Sequence, residues 1–201
     1  AVLGATGAVG RAVLQLLDER DLPLSGVRLL ASPRSDGSEI DVQGGPVRVE
    51  AVRTGAFSGS DVCVFAVPAP PAREWAPVAW GEGCAVVDVS QAFRADADVP
   101  LVLPELDPDG AAGFRARGVV ACPGAAAASL ALALAPIRAA AGLERVAVVT
   151  CEGASGAGRG GLEQLEAEAR SLMNGVEPEP PAGVPHRAAF NVVPQIGAFE
   201  P

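Results

Sequence analysis

The sequence predicts an α/β fold, in which a parallel sheet carries helices on both faces and an α+β unit follows. Apolar runs such as "VCVFAV" (62–67) and "CAVVDVS" (84–90) alternate with helix-like segments, which is typical of parallel strands that are buried on both faces. A glycine turn joins the first strand to the first helix. After Pro123 the composition changes to a helix rich in alanine and leucine.

The first half of the chain has the pattern of successive strand and helix pairs. It begins with "AVLGATGAVGRAVLQLLDER", which predicts a strand, a glycine turn and a helix with one apolar face. A short buried strand is expected at 27–32, and a helix between Ala72 and Gly83. Residues 118–122, "GVVAC", are expected to add a further strand to the same sheet.

The second half is predicted as helix, strand and helix. The helices are expected over 125–141 and 158–175, with Gly175 as the C-terminal stop, and the strand over 145–153. We therefore predict two domains, 1–123 and 124–201, of which the second is incomplete at the C-terminus.

Composition excludes several classes of function. The net charge of −9 argues against a nucleic-acid partner, because phosphate backbones attract basic proteins. A single histidine, His186, makes a zinc site improbable, so no metal is expected. The apolar run nearest to a membrane span is broken by Pro123 and Gly124. The four cysteines lack a C-x-x-C pair, which indicates reduced thiols of a cytoplasmic protein.

The glycine turn is the first candidate site. "GATGAVG" places Gly4, Gly7 and Gly10 between a strand and a helix, where backbone can approach a pyrophosphate. This context predicts a Rossmann-type dinucleotide site. The alternative is tight packing of helix on strand with no ligand.

The end of the second strand predicts which dinucleotide binds. NAD sites usually place an acid there, but this chain continues with "ASPRSDG". Ser32, Arg34 and Ser35 offer two hydroxyls and a guanidinium, which suit a 2′-phosphate. NADP is therefore the expected cofactor, the alternative being an exposed polar turn.

Five stretches together resemble the aspartate-β-semialdehyde dehydrogenase family. They are "AVLGATGAVG", "LLASPRSDG", "VVDVSQAFRADADVPLVLPELDP", "CEGASGAGRGG" and "AFNVVPQI", in the order and spacing of that family. The resemblance covers all of the chain and about the first three-fifths of a family member. It implies an NADP-binding Rossmann domain, a domain for dimerisation and catalysis, and a homodimer. It also implies a small-molecule substrate, aspartyl phosphate or its semialdehyde, that reacts through a cysteine thioester.

The resemblance assigns site residues position by position. Arg94 matches the arginine that binds phosphate, and the family's histidine and second arginine are expected beyond Pro201. The cofactor positions are Gly4, Ala5, Thr6, Gly7, Ala8, Val9, Gly10, Ser32, Arg34, Ser35, Ser155, Gly156 and Gly158.

The departures from the family predict impaired catalysis. Ala125 stands at the position of the nucleophilic cysteine, and a methyl group cannot form a thioester. Glu152 replaces a glutamine that orients the substrate, and its charge would repel an anion. "FAVPAPP" replaces a loop rich in glycine and serine that lies along the cofactor, and its prolines remove N–H donors.

Three hypotheses stay open at this point. The first is a non-catalytic member that keeps the NADP site and is closest to the cysteine-lacking Usg-like paralogues. The second is an active enzyme that uses a displaced thiol, either Cys122, three residues before Ala125, or Cys151. The third is an oligomerisation partner that binds no nucleotide.

Overall fold

The computed structural model describes residues 1–20, 22–179 and 186–194. The chain divides into two compact units, Ala1–Ala147 and Val148–Pro201, and each is described by itself. The first unit extends past the domain boundary predicted at Pro123, because it includes the helix that follows that residue. The domain boundary at Pro123 stays a prediction.

The first unit is built on one sheet with the order β3-β4-β2-β1-β5-β6-β7 in the described residues. All neighbouring strands are parallel except β3 and β4, which are antiparallel. The strands are β1 (Val2–Leu3), β2 (Leu29–Ala31), β3 (Glu39–Val42), β4 (Gly45–Ala51), β5 (Val62–Phe65), β6 (Ala85–Asp88) and β7 (Val119–Ala121). The parallel strands confirm the predicted α/β class.

Helices follow three of the parallel strands. They are α1 (Ala8–Glu19) after β1, α2 (Ala69–Gly81) after β5, and α3 (Ala125–Ala141) after β7. All three confirm predicted helices, although α2 begins three residues earlier than expected because Pro70 and Pro71 are tolerated in its first turn. None of the helices in the described part of the chain combines the length and apolarity needed to cross a bilayer.

Alternation along the central strand builds a core on each face of the sheet. Val2 packs in the cluster that contains Leu14 of α1. Leu3 points to the opposite face and joins the cluster that contains Ala72 and Ala76 of α2. Side chains of successive strand residues point to opposite faces, so both layers of helices are held by the same short strand.

The hairpin of β3 and β4 was absent from the sequence prediction. Its strands are joined by Gln43 and Gly44, whose φ angles are +52° and +80°. Two consecutive residues with positive φ form the turn that matches strand twist in a two-residue hairpin. "EIDVQGGPVRVEA" carries this signal in its alternation of polar and apolar residues around a glycine pair.

The second unit contains α4 (Gly158–Met173), preceded by a short 3-10 helix at Ala154–Ala157. Gly175, with a φ of +71°, follows the end of α4 and confirms the predicted stop. The strand predicted over 145–153 is wrong: this segment pairs with no strand in the described residues, and Val149 is 93% exposed. The matched segment "AFNVVPQI" is described as far as Pro194.

Candidate functional site

The predicted site segments of the first unit all follow carboxyl ends of parallel strands. The glycine turn follows β1, the "SPRS" turn follows β2, and the proline segment follows β5. Strand β1 pairs with β2 on one side and β5 on the other, so the chain changes direction across the sheet there. Ligands of open α/β sheets bind in the crevice at such a switch point.

Two of the three glycines of the turn are required by backbone packing. A methyl group on Gly4 would lie 2.3 Å from the carbonyl oxygen of Ala66, and Gly4 has a φ of +87°. A methyl group on Gly10 would lie 2.1 Å from the carbonyl oxygen of Gly4. Both separations are far below van der Waals contact, so these positions need glycine whether or not a ligand binds.

Gly7 differs from the other two because it caps the open end of α1. As a glycine it offers no side-chain acceptor to the helix amides, and the first turn of α1 has no acidic residue. The first backbone bond of the helix runs from Arg11 N to Gly7 O at 2.9 Å, so the amides of Ala8, Val9 and Gly10 have no acceptor within α1. Such an N-terminus offers donors and positive potential, which fit the pyrophosphate of a dinucleotide.

The structure brings the "SPRS" turn against the glycine turn. Thr6 Oγ1 and Ser35 Oγ lie 3.3 Å apart in a hydrogen bond between the two turns. Pro33–Ser35 form one turn of 3-10 helix, and the side chains of Ser32 and Arg34 are exposed. The turn that carries Ser32, Arg34 and Ser35 therefore contacts the glycine turn through Ser35, and the role of these three residues in binding stays a prediction.

The proline segment forms the first turn of α2. Pro68 is the N-cap, and the first three helical residues are Ala69, Pro70 and Pro71. Of these three, Ala69 alone keeps a backbone N–H. The segment touches the glycine turn, since a methyl group on Gly4 would meet Ala66 and Val67. The helix terminus next to the glycine turn is thus poor in hydrogen-bond donors.

The corner between β7 and α3 carries the position of the predicted nucleophile. Ala125 is the first residue of α3, is exposed, and follows the uncapped N-cap Gly124. Arg94 reaches this corner from the loop after β6: its Nε donates to Cys122 O at 2.9 Å and its Nη2 to Val89 O at 3.1 Å. Arg94 Nη1 faces Gly124, where a methyl group would lie 3.2 Å from it.

The thiol of Cys122 lies in surroundings that disfavour its thiolate. Burial raises its pKa, the negative charge of Asp88 raises it further, and Arg94 opposes both. Asp88 is completely buried at the end of β6, and burial raises the pKa of its carboxyl although Ser90 donates to it from Oγ at 2.8 Å. A nucleophilic cysteine needs a lowered pKa, so this position lacks the activation of a catalytic thiol.

The remaining predicted residues belong to the second unit. Ser155 and Gly156 lie in the 3-10 helix before α4, and Gly158 begins α4 with a φ of +71°. Glu152 is exposed, and its Oε2 would lie 3.6 Å from a methyl group on Gly156. Their role in binding stays a prediction. Across the described ranges no three His, Cys, Asp or Glu side chains group as metal ligands.

Sequence reasoning missed the side chains that hold the loop carrying Arg94. Arg73 on α2 donates to both carboxylate oxygens of Asp96, at 3.0 and 2.8 Å, and to Ala92 O. At the start of the loop, Ser90 Oγ accepts from Ala92 N. The Arg73–Asp96 pair spans 23 residues and carries no local signal in the sequence. Asp88, in contrast, ends an apolar strand and is followed by Ser90, which is a signal visible in the sequence.

Family comparisons agree with this architecture. The model for the semialdehyde dehydrogenase NAD binding domain matches residues 1–113, and the model for the dimerisation domain of the same family matches residues 134–201. The cofactor class is therefore of the NAD(P) type. The predicted resemblance is confirmed by models that match more than half of the chain.

Individual relatives are similar over nearly the whole chain. Aspartate-semialdehyde dehydrogenase of Aquifex aeolicus is 38% identical over 99% of this chain, and enzyme 2 of Vibrio cholerae is 39% identical over 99%. The structure of Vibrio cholerae aspartate semialdehyde dehydrogenase II complexed with ASA superimposes with a TM-score of 0.93 at 38% identity, over 99% of this chain and 59% of that one. The chain spans 59% of the length of the two curated relatives. On its sequence, its sheet and both domain matches, this chain belongs to the semialdehyde dehydrogenase family.

Proposed function

We propose that this chain belongs to an aspartate-semialdehyde dehydrogenase-like protein of amino-acid biosynthesis that binds NADP but has lost the nucleophile of the reaction. The observation that carries the proposal is Ala125, an exposed alanine at the N-terminus of α3. The protein would resemble the cysteine-lacking Usg-like paralogues, and residues 134–201 would contribute to a homodimer.

The position of Ala125 argues for lost chemistry rather than altered chemistry. The N-terminus of a 17-residue helix favours a thiolate, and the first turn of α3 has no acidic residue to oppose it. A cysteine at this position would be activated, but an alanine methyl group cannot form a covalent bond to an acyl carbon. The local field is thus present without the group on which it would act.

Preference for NADP is supported by the contact between the two turns. The bond between Thr6 and Ser35 places the "SPRS" turn at the glycine turn. Arg34 and the hydroxyls of Ser32 and Ser35 would hold a 2′-phosphate, while the α1 N-terminus would hold the pyrophosphate. The bound nucleotide would supply a hydride donor or acceptor.

A displaced thiol, the alternative from the sequence, is less well supported. Burial and the charge of Asp88 raise the pKa of Cys122, so little of it is thiolate near neutral pH. Its backbone oxygen is also used to hold Arg94 Nε. Arg94 would bind the phosphate or carboxylate of an aspartyl phosphate or semialdehyde ligand, with Nη1 towards the α3 N-terminus.

The test uses the full-length protein with aspartate semialdehyde, phosphate and NADP, and follows the absorbance of NADPH. We expect no turnover by the parent and measurable turnover by Ala125→Cys, because the helix terminus is ready to activate a thiol. Cys122→Ala serves as the control for the displaced nucleophile. Turnover by the parent that disappears in Cys122→Ala would reject the proposal in favour of the alternative.

A further inference from the structure

The loop Val89–Asp96 carries Arg94 and has no regular secondary structure, and its backbone joins the sheet through Val89 N, which donates to Phe65 O at 3.1 Å. Its start is held by Asp88, which accepts from Ser90 Oγ at 2.8 Å, and by Ser90 Oγ, which accepts from Ala92 N at 2.9 Å. Nothing within that first turn reaches beyond Ala92. Beyond Ala92, burial of Phe93 in the core and a second polar anchor hold the part of the loop that carries Arg94.

Arg73 supplies that anchor from α2. Its guanidinium binds the Asp96 carboxylate through both oxygens, donates to Ala92 O, and lies with Cζ 5.1 Å from the centroid of the Phe93 ring. Phe93 is buried, with 2% of its surface exposed. The Arg73 side chain thus contacts loop residues both before and after Arg94.

The neighbours of Arg94 leave it little freedom once the loop is fixed. Its Nε and Nη2 bind Cys122 O and Val89 O, so Nη1 is directed to the α3 N-terminus at Gly124. The Nε bond crosses from the loop to the β7–α3 corner, and a shift of the loop would break it. The direction of Nη1 therefore depends on the loop anchor.

We propose that Arg73, through Asp96 and Ala92, is a positioning residue that fixes Arg94 for binding an oxyanion at the α3 N-terminus. This inference rests on the proposed role of Arg94 in binding phosphate. Arg73 itself is directed at the loop and need not touch the ligand. A planar guanidinium that binds a carboxylate at two points gives the geometric definition that such a role requires.

The test measures the dissociation constant of inorganic phosphate for the full-length protein, from the rise of the unfolding temperature with phosphate at constant ionic strength. All proteins compared, the parent included, carry Arg34→Ala and are saturated with NAD, so that neither the expected 2′-phosphate site nor the α1 N-terminus contributes. The dissociation constant is compared for the parent, Arg94→Ala, Arg73→Ala, Arg73→Lys and Asp96→Asn. The matched control is Asp98→Asn, which removes the partner of Arg117 in an ion pair of 2.8 Å outside the loop.

Asp96→Asn separates positioning from through-space charge. Removing a negative charge near the site strengthens anion binding if charge alone matters. Positioning predicts the opposite, a dissociation constant raised about tenfold in both Asp96→Asn and Arg73→Ala, which is within the range of coupling inside one hydrogen-bond network. Arg73→Lys is expected to recover part of the loss, and Asp98→Asn to bind as the parent does.

The other outcomes reject either the positioning role of Arg73 or the phosphate site at Arg94. The positioning role alone would be rejected if Asp96→Asn binds phosphate more tightly than the parent. It would also be rejected if Arg73→Ala and Asp96→Asn both bind as the parent does while Arg94→Ala fails to bind. Parental binding by Arg94→Ala, or no binding by the parent, would reject the phosphate site and the positioning role with it. If Arg73→Ala does not fold, Arg73→Lys and the isosteric Asp96→Asn decide.

Discussion

Among single residues, Arg34 is expected to decide which nicotinamide dinucleotide binds. Its exposed side chain lies between Ser32 and Ser35, and Ser35 already contacts the glycine turn through Thr6. Arg34→Ala should weaken NADP binding by roughly tenfold to a hundredfold, the value of a charge-assisted hydrogen bond, and change NAD binding little. Calorimetry on the full-length protein measures both, with Arg20→Ala, an exposed arginine at the end of α1, as control. Equal losses for both dinucleotides would remove the 2′-phosphate assignment.

A substitution at Gly118 tests how tightly the backbone packs against the indole ring of Trp80. Gly118 precedes β7 with a φ of +70°, and a methyl group there would lie 2.1 Å from Cδ2 of Trp80. Gly83 has a similar φ of +84° but faces open space. Both alanine variants should lose about 1–2 kcal/mol of unfolding free energy from the left-handed backbone. Gly118→Ala should lose about 1–3 kcal/mol more from the clash, measured by urea denaturation. Equal losses would mean that Trp80 moves aside at no cost.

Within the second unit, Glu168 joins α4 to the segment that returns beside it. The residue is 3% exposed, and its carboxylate accepts from Ala188 N at 2.7 Å and Ala189 N at 2.9 Å. Gln164 Nε2 donates to its other oxygen at 2.8 Å. Burial acts to raise the pKa of Glu168, but these three donors, together with the charge of Arg187, outweigh it and lower the pKa below its ordinary value.

Glu168→Gln should therefore loosen the returning segment. Amide exchange at Ala188 and Ala189 should report a loss of about 2 kcal/mol in opening free energy at neutral pH, since hydrogen bonds to a charged acceptor are lost. A lowered folded pKa stabilises the protein fully above the unfolded pKa. The difference between parent and variant should therefore vanish as the pH falls through the folded pKa. Glu163→Gln, on an exposed position of the same helix, should leave both amides protected; unchanged exchange in Glu168→Gln would show that packing alone holds the segment.

At the scale of elements, the sequence was informative wherever the signal is local. Strands β1, β2, β5, β6 and β7 and helices α1 to α4 follow from apolar runs, glycine turns and helical periodicity, and the structure confirms them. The predicted strand over 145–153 failed because "RVAVVT" has strand propensity, but a strand also needs a paired neighbour. The hairpin at Gln43 and Gly44 has visible turn residues, but its short alternating strands carry charged residues, which also suit an exposed loop.

At the scale of the whole molecule, topology explains what residue patterns alone cannot. The glycine turn, the "SPRS" turn and the corner at Ala125 are distant in sequence, yet each follows a parallel strand and so lies at one edge of the sheet. Their locations were predictable from that rule. The link from Arg73 to Asp96 was not, because two oppositely charged residues on separate elements have many equivalent partners in sequence.

Selection acts differently on the parts of the nucleotide site. Gly4 and Gly10 are held in place by the sheet and helix themselves, so a descendant that abandoned the nucleotide would still keep them in order to fold. The exposed Arg34 supports no such packing and would be free to drift. The two glycines therefore indicate the fold and not nucleotide binding, whereas Arg34 would be kept only if the nucleotide still binds. Under the proposed function, Ala125 together with a retained Arg34 is the combination expected when catalysis is lost and nucleotide binding is kept.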